Sequence, residues 1–130
     1  MSSARKQLRA ILGHEDRELA RAFATYRAEF DRLIQAPEAP ALSKRGLQAL
    51  GRMHDRTHAL RAEIAGVEPR VHEAEVLIDA LERYDRGLLG LRVALAGALD
   101  RERAARVDRA ARRMQRSSAT VEQVYEGLRS

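Results

Sequence analysis

Apolar residues recur at alternating spacings of three and four along most of this chain, and that rhythm admits little besides helices packed side by side. In the first third the stripe is Leu8, Leu12, Leu19, Ala22, Tyr26, Phe30 and Leu33, and in the second it is Leu50, Met53, Thr57, Leu60 and Ile64. The last stripe is Val107, Ala111, Met114, Ser118, Val121, Tyr125 and Leu128. Each stripe is narrow, which suits a helix buried along one seam. Ala and Leu dominate the apolar set, Trp is absent and Pro is scarce, a composition that favours helix over sheet. The expected fold is therefore all-α: one domain over 1–130, with three to four long helices folded back as an antiparallel bundle or coiled-coil hairpin.

Proline and glycine punctuate the pattern into helices over about 4–35, 43–65, 69–99 and 101–128. The segment Ala36-Pro37-Glu38-Ala39-Pro40 disfavours helical geometry and forms the first turn, with Ser43 as the next helix's N-cap. Gly66 followed by Pro69 reads as a helix end and a helix start, with a kinked continuous helix as the alternative. A break near 13–16 is equally open, since the apolar stripe lapses there and Gly13 can end a helix before Asp16. The stripe changes phase between Leu99 and Ala104, so the chain breaks, bends or stutters there, with Asp100 as the cap of a new helix if it breaks. An unbroken rod would be about 80 Å long, more than one chain can cover. Gly87, Gly90 and Gly97 each cost about 1 kcal/mol in a helix interior, which points to close backbone approach or bending.

Charge is the sharpest clue to partners. Between Arg101 and Arg116 seven arginines face Glu102 and Asp108, which accounts for the whole formal charge of +5; the remaining seventeen basic and seventeen acidic residues balance. Arg106, Arg109, Arg113 and Arg116 share one helical face, with Arg112 beside them, opposite the apolar Val107, Ala111 and Met114. Such a helix can meet nucleic-acid phosphates, an anionic lipid surface or an acidic protein groove. The Arg101–Arg116 segment holds no aromatic residue to stack on bases. Elsewhere carboxylates sit three or four residues from arginines, as in Glu29 with Arg32 and Glu82 with Arg86, the spacing of surface helix pairs.

Enzymatic chemistry finds little footing. The chain has no cysteine, its serines form no plausible nucleophile triad, and its eight glycines make no phosphate loop. Histidine is the remaining candidate ligand. His54 and His58 lie four apart on one helix, as do His14 and Glu18 on another, and folding back at residues 39 and 67–68 would gather His14, Glu18, His58 and His72 toward one end of a bundle. The run from His54 to His58 is similar to the zincin His-Glu-x-x-His helix, with Asp55 in the acidic position and no third ligand marked. The His14/Glu18 and His54/His58 spacings also echo diiron bundles of the hemerythrin type, without their other ligand motifs. His58-Ala59-Leu60-Arg61-Ala62 resembles, over five residues, the His-x-Leu-Lys-Gly core of histidine phosphotransfer bundles, a resemblance that implies an exposed phosphate-accepting imidazole. Ala62 stands where that family has glycine.

These features predict a non-enzymatic protein–protein interaction module: a small helical adaptor, scaffold or assembly chaperone with no cofactor and no small-molecule substrate. A homodimer is expected, joined through Leu88, Leu91 and Leu95 with Gly87 and Gly90 allowing close contact. Nucleic-acid or anionic-surface binding through Arg106, Arg109, Arg112, Arg113 and Arg116 is the alternative, and a metal-binding bundle using His14, Glu18, His54, His58 and His72 is the third reading. A cytoplasmic location is expected, since the first apolar run is too short for a secretory core and nothing approaches about 18 consecutive apolar residues.

Overall fold

A computed structural model describes residues 2–35, 42–96 and 101–129, apart from the side chains of residues 14–16 and 34. The described residues form an all-α bundle of four helices: α1 (Ser3–Gln35), α2 (Lys44–Ala65), α3 (His72–Ala94) and α4 (Arg101–Arg129). Among the described residues no helix is long and apolar enough to cross a membrane.

Local chemistry sets the helix ends. The Ser2 hydroxyl accepts the Arg5 N–H at 3.2 Å and caps α1. Ser43 caps α2 as expected, accepting the Gly46 N–H at 3.2 Å. Its hydroxyl also donates to the Glu29 carboxylate at 2.6 Å, so α1 holds the cap of α2 in place. Glu29 is buried at 7% exposure, and Arg32 approaches it at 3.3 Å from the solvent side. At the other end of α2 the Gly66 N–H returns to the carbonyls of Ala62 and Glu63, while Arg70 donates to the Ala65 carbonyl at 3.2 Å.

The structure decides three boundaries. Gly13 lies inside α1, so no break forms at 13–16; Leu8, Leu12 and Ala22 are buried on the same face, and that burial outweighs one helical glycine. Pro69 lies in the α2–α3 connection, after a cis Glu68–Pro69 peptide, and does not open a helix. Starting α3 at His72 instead puts Glu73 and Glu75 in its first turn, where the helix dipole favours carboxylates. The phase slip resolves as a break, because α3 ends at Ala94 and α4 begins at Arg101. The expected turn over 36–40 and the Asp100 cap lie outside the described residues.

The helices run alternately up and down. Glu29 meets Ser43 and Glu18 meets Arg56 across α1 and α2, and His54 meets Asp85 while Arg61 meets Glu82 across α2 and α3. Two core clusters stack along the axis. One joins Tyr26, Phe30, Leu50, Leu88, Leu91 and Met114, and the other joins Leu8, Leu12, Ile64, Leu77, Leu81 and Leu128. Between them lies a more polar waist, where Thr57 donates to the Met53 carbonyl at 2.6 Å and Ser117 is buried. An apolar cavity of about 40 Å³, lined in part by Leu19, Tyr84 and Tyr125, sits at the same level.

The α3–α4 pair is the closest in the bundle. A Cβ at Gly87 would stand 2.8 Å from Met114 Cγ and 3.1 Å from the Ala110 carbonyl oxygen, so only glycine allows the two backbones this approach. This contact corrects the expected oligomer interface. Gly87 packs within the chain, and Leu88, Leu91 and Leu95 are at most 1% exposed in the monomer's own core, unavailable to a second copy. Gly90 does reach the surface.

Candidate functional site

The arginine stripe lies where the periodicity placed it, on the solvent side of α4. Val107, Ala110, Met114 and Ser117 are buried, so the inward face is turned toward Ala110 and Ser117 from the expected Ala111 and Ser118, while Arg106, Arg109, Arg112, Arg113 and Arg116 are exposed. Two of the five are neutralised within the helix: Arg106 bonds Glu102 at 2.6 Å and Arg112 bonds Asp108 at 3.0 Å. Arg109, Arg113 and Arg116 make no ion pair among the described residues.

The stripe occupies the flank of α4 next to α3. Ala110, which lies between the stripe and the core, packs at Gly87 and Gly90, whereas Ser118, Glu122 and Tyr125 on the other flank line the waist cavity with Leu12 and Leu19 of α1. The antiparallel register that sets Gly87 against Ala110 and Met114 brings Arg113 level with Arg86 and Arg109 level with Gly90. Arg86 is exposed and makes no ion pair among the described residues, because Glu82, its expected partner, is engaged from α2 by Arg61 at 3.5 Å. Four unneutralised guanidiniums from two helices thus border one seam. Their like charges lie close enough to reinforce one another, given a screening length of about 8 Å at physiological salt.

Apolar side chains adjoin this cationic strip. Leu89 and Val93 are each 61% exposed, in the same three-four rhythm as Arg86 but on a different face from the buried Leu88, Leu91 and Leu95. Leu47 on α2 is 49% exposed, one heptad before His54, and the antiparallel His54–Asp85 pairing puts it at the level of Arg92 and Val93. Crossing the surface from α4, one meets arginines, the open floor at Gly90, Arg86 and Val93, and then Leu89. Sequence reasoning missed Arg86, Leu89 and Val93. The signal was there in the second stripe on α3, but Leu88, Leu91 and Leu95 absorbed the only interface expected of that helix.

Among the described side chains, His54, His58 and His72 do not converge on one point. His54 Nδ1 lies 2.7 Å from Asp85, and the His54 and His58 rings stack at 6.4 Å. Glu18 is engaged by Arg56 at 3.2 Å, and His72 is exposed at the start of α3. The side chain of His14 is outside the described set. Among the described residues no three His, Asp or Glu side chains converge on a point where a metal could sit, so the expected grouping is replaced by pairwise contacts between neighbouring helices. The expected register is off by about one helical turn: a turn at residue 39 pairs positions whose numbers sum to about 78, setting Glu18 opposite Leu60, whereas it meets Arg56.

Three further features bound the chemistry. A groove of about 510 Å³ between α1 and α2 is lined by both signs of charge, with Glu18 and Asp55 beside Arg21, Arg52 and Arg56. Burial pushes the Tyr26 hydroxyl up to about 12 and raises that of Tyr84 further, so both stay protonated and neither is a ready base. Near the opposite end of the bundle Arg5 hydrogen-bonds Glu73, which holds that carboxyl below its ordinary range and ties the start of α1 to the first turn of α3. None of these positions a nucleophile beside a base. Comparison with protein-family models, with curated proteins and with solved structures finds no match to this chain.

Proposed function

We propose that this chain is a non-catalytic helical binding module, an adaptor or assembly chaperone in type, that docks an acidic partner protein on the outer face of α3 and α4. The observation that supports the reading is the contiguous set of Arg86, Arg109, Arg113 and Arg116, exposed and without ion pairs among the described residues. Exposed charges that already have partners contribute little to binding, whereas an unneutralised cluster raises both the on-rate and the selectivity for an anionic surface. A two-fold dimer through this face would bring two cationic surfaces together, and the leucines first expected to join two copies are buried within one. The account therefore favours a heterologous partner over a second copy.

Immobilised poly-L-glutamate tests the charge component. The protein is expected to bind it at low salt, with affinity falling as salt rises, and the triple variant Arg109→Glu, Arg113→Glu, Arg116→Glu is expected to lose that binding. Reversal of three exposed arginines on other faces, Arg9, Arg17 and Arg45, serves as the control for net charge. Equal loss in both triples would show that total charge, not this face, does the binding. Polynucleotide is the competing anionic partner; the apolar half of the face distinguishes it below.

A further inference from the structure

Resting on the docking reading above, we infer that the element this face receives is an acidic amphipathic helix of the partner, laid along the α3–α4 seam with its carboxylates over α4 and its apolar side over α3. Of the four large hydrophobic side chains exposed among the described residues, Leu89 and Val93 share the outer side of α3 with Arg86, Leu47 lies on α2 at the level of Arg92 and Val93, and Phe23 is on α1. Single exposed apolar residues are ordinary, but a group of them rimmed by charged side chains marks an interaction surface; here Asp85 and Glu82, both engaged by α2, stand on one side of Leu89 and the unpaired arginines on the other.

The geometry suits a helix. Arg106 and Arg116 are ten residues apart on α4, a span of about 15 Å or nearly three turns. Carboxylates at three-four spacing on a partner helix would meet that row in register. Beside the row Gly90 carries no side chain, and a Cβ built there would meet only Ala110 Cβ, at 3.8 Å, so the surface is low at that position between the arginines and Leu89 and Val93. Small residues at a contact shorten the approach of a packing helix. Nucleic acid would use only half of this surface. Leu89 and Val93 offer phosphates nothing, and no exposed aromatic ring stands beside the arginines to stack on a base: Tyr26 and Tyr84 are buried and Tyr125 belongs to the opposite flank of α4.

The experiment measures binding of the full chain to five probes at one salt concentration. These are a four-turn peptide with leucines at three-four spacing and glutamates along one flank, the same residues scrambled, poly-L-glutamate, a 20-nucleotide single strand, and phosphatidylcholine–phosphatidylserine vesicles. The amphipathic peptide is expected to bind at least about tenfold more tightly than its scramble. The double variant Leu89→Ser, Val93→Ser is expected to weaken the peptide by about tenfold or more and to leave poly-L-glutamate unchanged. The Arg109, Arg113, Arg116 reversal should weaken both. Both variants change exposed residues only, and an unaltered helical circular dichroism spectrum confirms that each is folded. Equal affinity for peptide and scramble, or indifference of the peptide to the Leu89/Val93 change, overturns the helix inference while binding of poly-L-glutamate keeps the docking face. Tighter binding of the oligonucleotide or of the vesicles than of the peptide overturns it too. Failure of every anionic probe to bind removes the docking reading itself.

Discussion

Substituting Gly87 by alanine probes the contact that fixes how α3 and α4 sit. In an open helical position the change stabilises by about 1 kcal/mol, because alanine loses less backbone freedom on folding. At Gly87 the new methyl would stand 2.8 Å from Met114 Cγ and 3.1 Å from the Ala110 carbonyl oxygen. The first atom lies near the base of its side chain and the second is backbone, so neither can swing aside without moving the helix. Overpacking of this kind costs about 1 to 3 kcal/mol, and subtracting the propensity gain leaves a net loss of about 1 kcal/mol. Gly51 and Gly127 supply internal controls, since a Cβ at either meets nothing within 4 Å. Urea unfolding at constant m-value should therefore show Gly51→Ala and Gly127→Ala stabilised by up to about 1 kcal/mol and Gly87→Ala destabilised, a spread of about 2 kcal/mol. Adding Met114→Ala to Gly87→Ala should cost less than Met114→Ala alone, because the new methyl fills part of the space vacated. If Gly87→Ala stabilises as much as Gly51→Ala, the close α3–α4 approach is wrong, and with it the register that puts Arg86 beside Arg113.

The relay that caps α2 gives a second expectation. Ser43→Ala removes the Gly46 N–H acceptor and the 2.6 Å donor to buried Glu29, and should cost about 2 kcal/mol; a double-mutant cycle with Glu29→Gln should show coupling of at least about 1 kcal/mol, and additive single effects would contradict it. Alkaline pH gives a third. Tyr26 and Tyr84 are held neutral by burial while an unfolded tyrosine ionises near pH 10, so their contribution to stability is complete below about pH 10 and is lost as pH rises toward the folded value of about 12 for Tyr26. Absorbance at 295 nm and helical ellipticity should then change together for these two residues, and Tyr26→Phe should shift the unfolding midpoint upward in pH; ionisation of both with the helix intact would refute the burial. Oligomeric state gives the fourth. Light scattering should report a monomer at micromolar concentration, because the leucines first assigned to a dimer are internal, and a stable dimer would require a different interface.

The fold was legible where one physical signal dominated. Leu50, Met53, Thr57, Leu60 and Ile64 sit at the spacing of one helical face, and all five are buried on α2. Ser43 could be read as a cap because a serine after a proline-rich segment has few other uses. Pro69 could not be placed, since a proline fits a connection as well as a first helical turn and the deciding carboxylates, Glu73 and Glu75, follow it. Gly87 carried the right message, close approach, with the wrong partner: sequence states that a backbone comes near but not whose. The arginine face was half legible. Spacing alone put Arg109, Arg113 and Arg116 on one side of α4, yet Arg86 was assigned to Glu82 four residues earlier on the same helix. Only the tertiary pairing of Glu82 with Arg61 leaves Arg86 unneutralised at the seam. The histidine grouping failed for a related reason, since one helical turn of error in register is enough to separate residues that must meet within a few ångström.

Backbone amide shifts, followed as poly-L-glutamate is titrated into the isotopically labelled 130-residue chain, test the central claim most directly. The account predicts that perturbations concentrate at residues 86–93 of α3 and 106–116 of α4 and collapse when salt is raised. Perturbations centred on α1 and the α1–α2 groove, or spread evenly over every arginine on the surface, would contradict it.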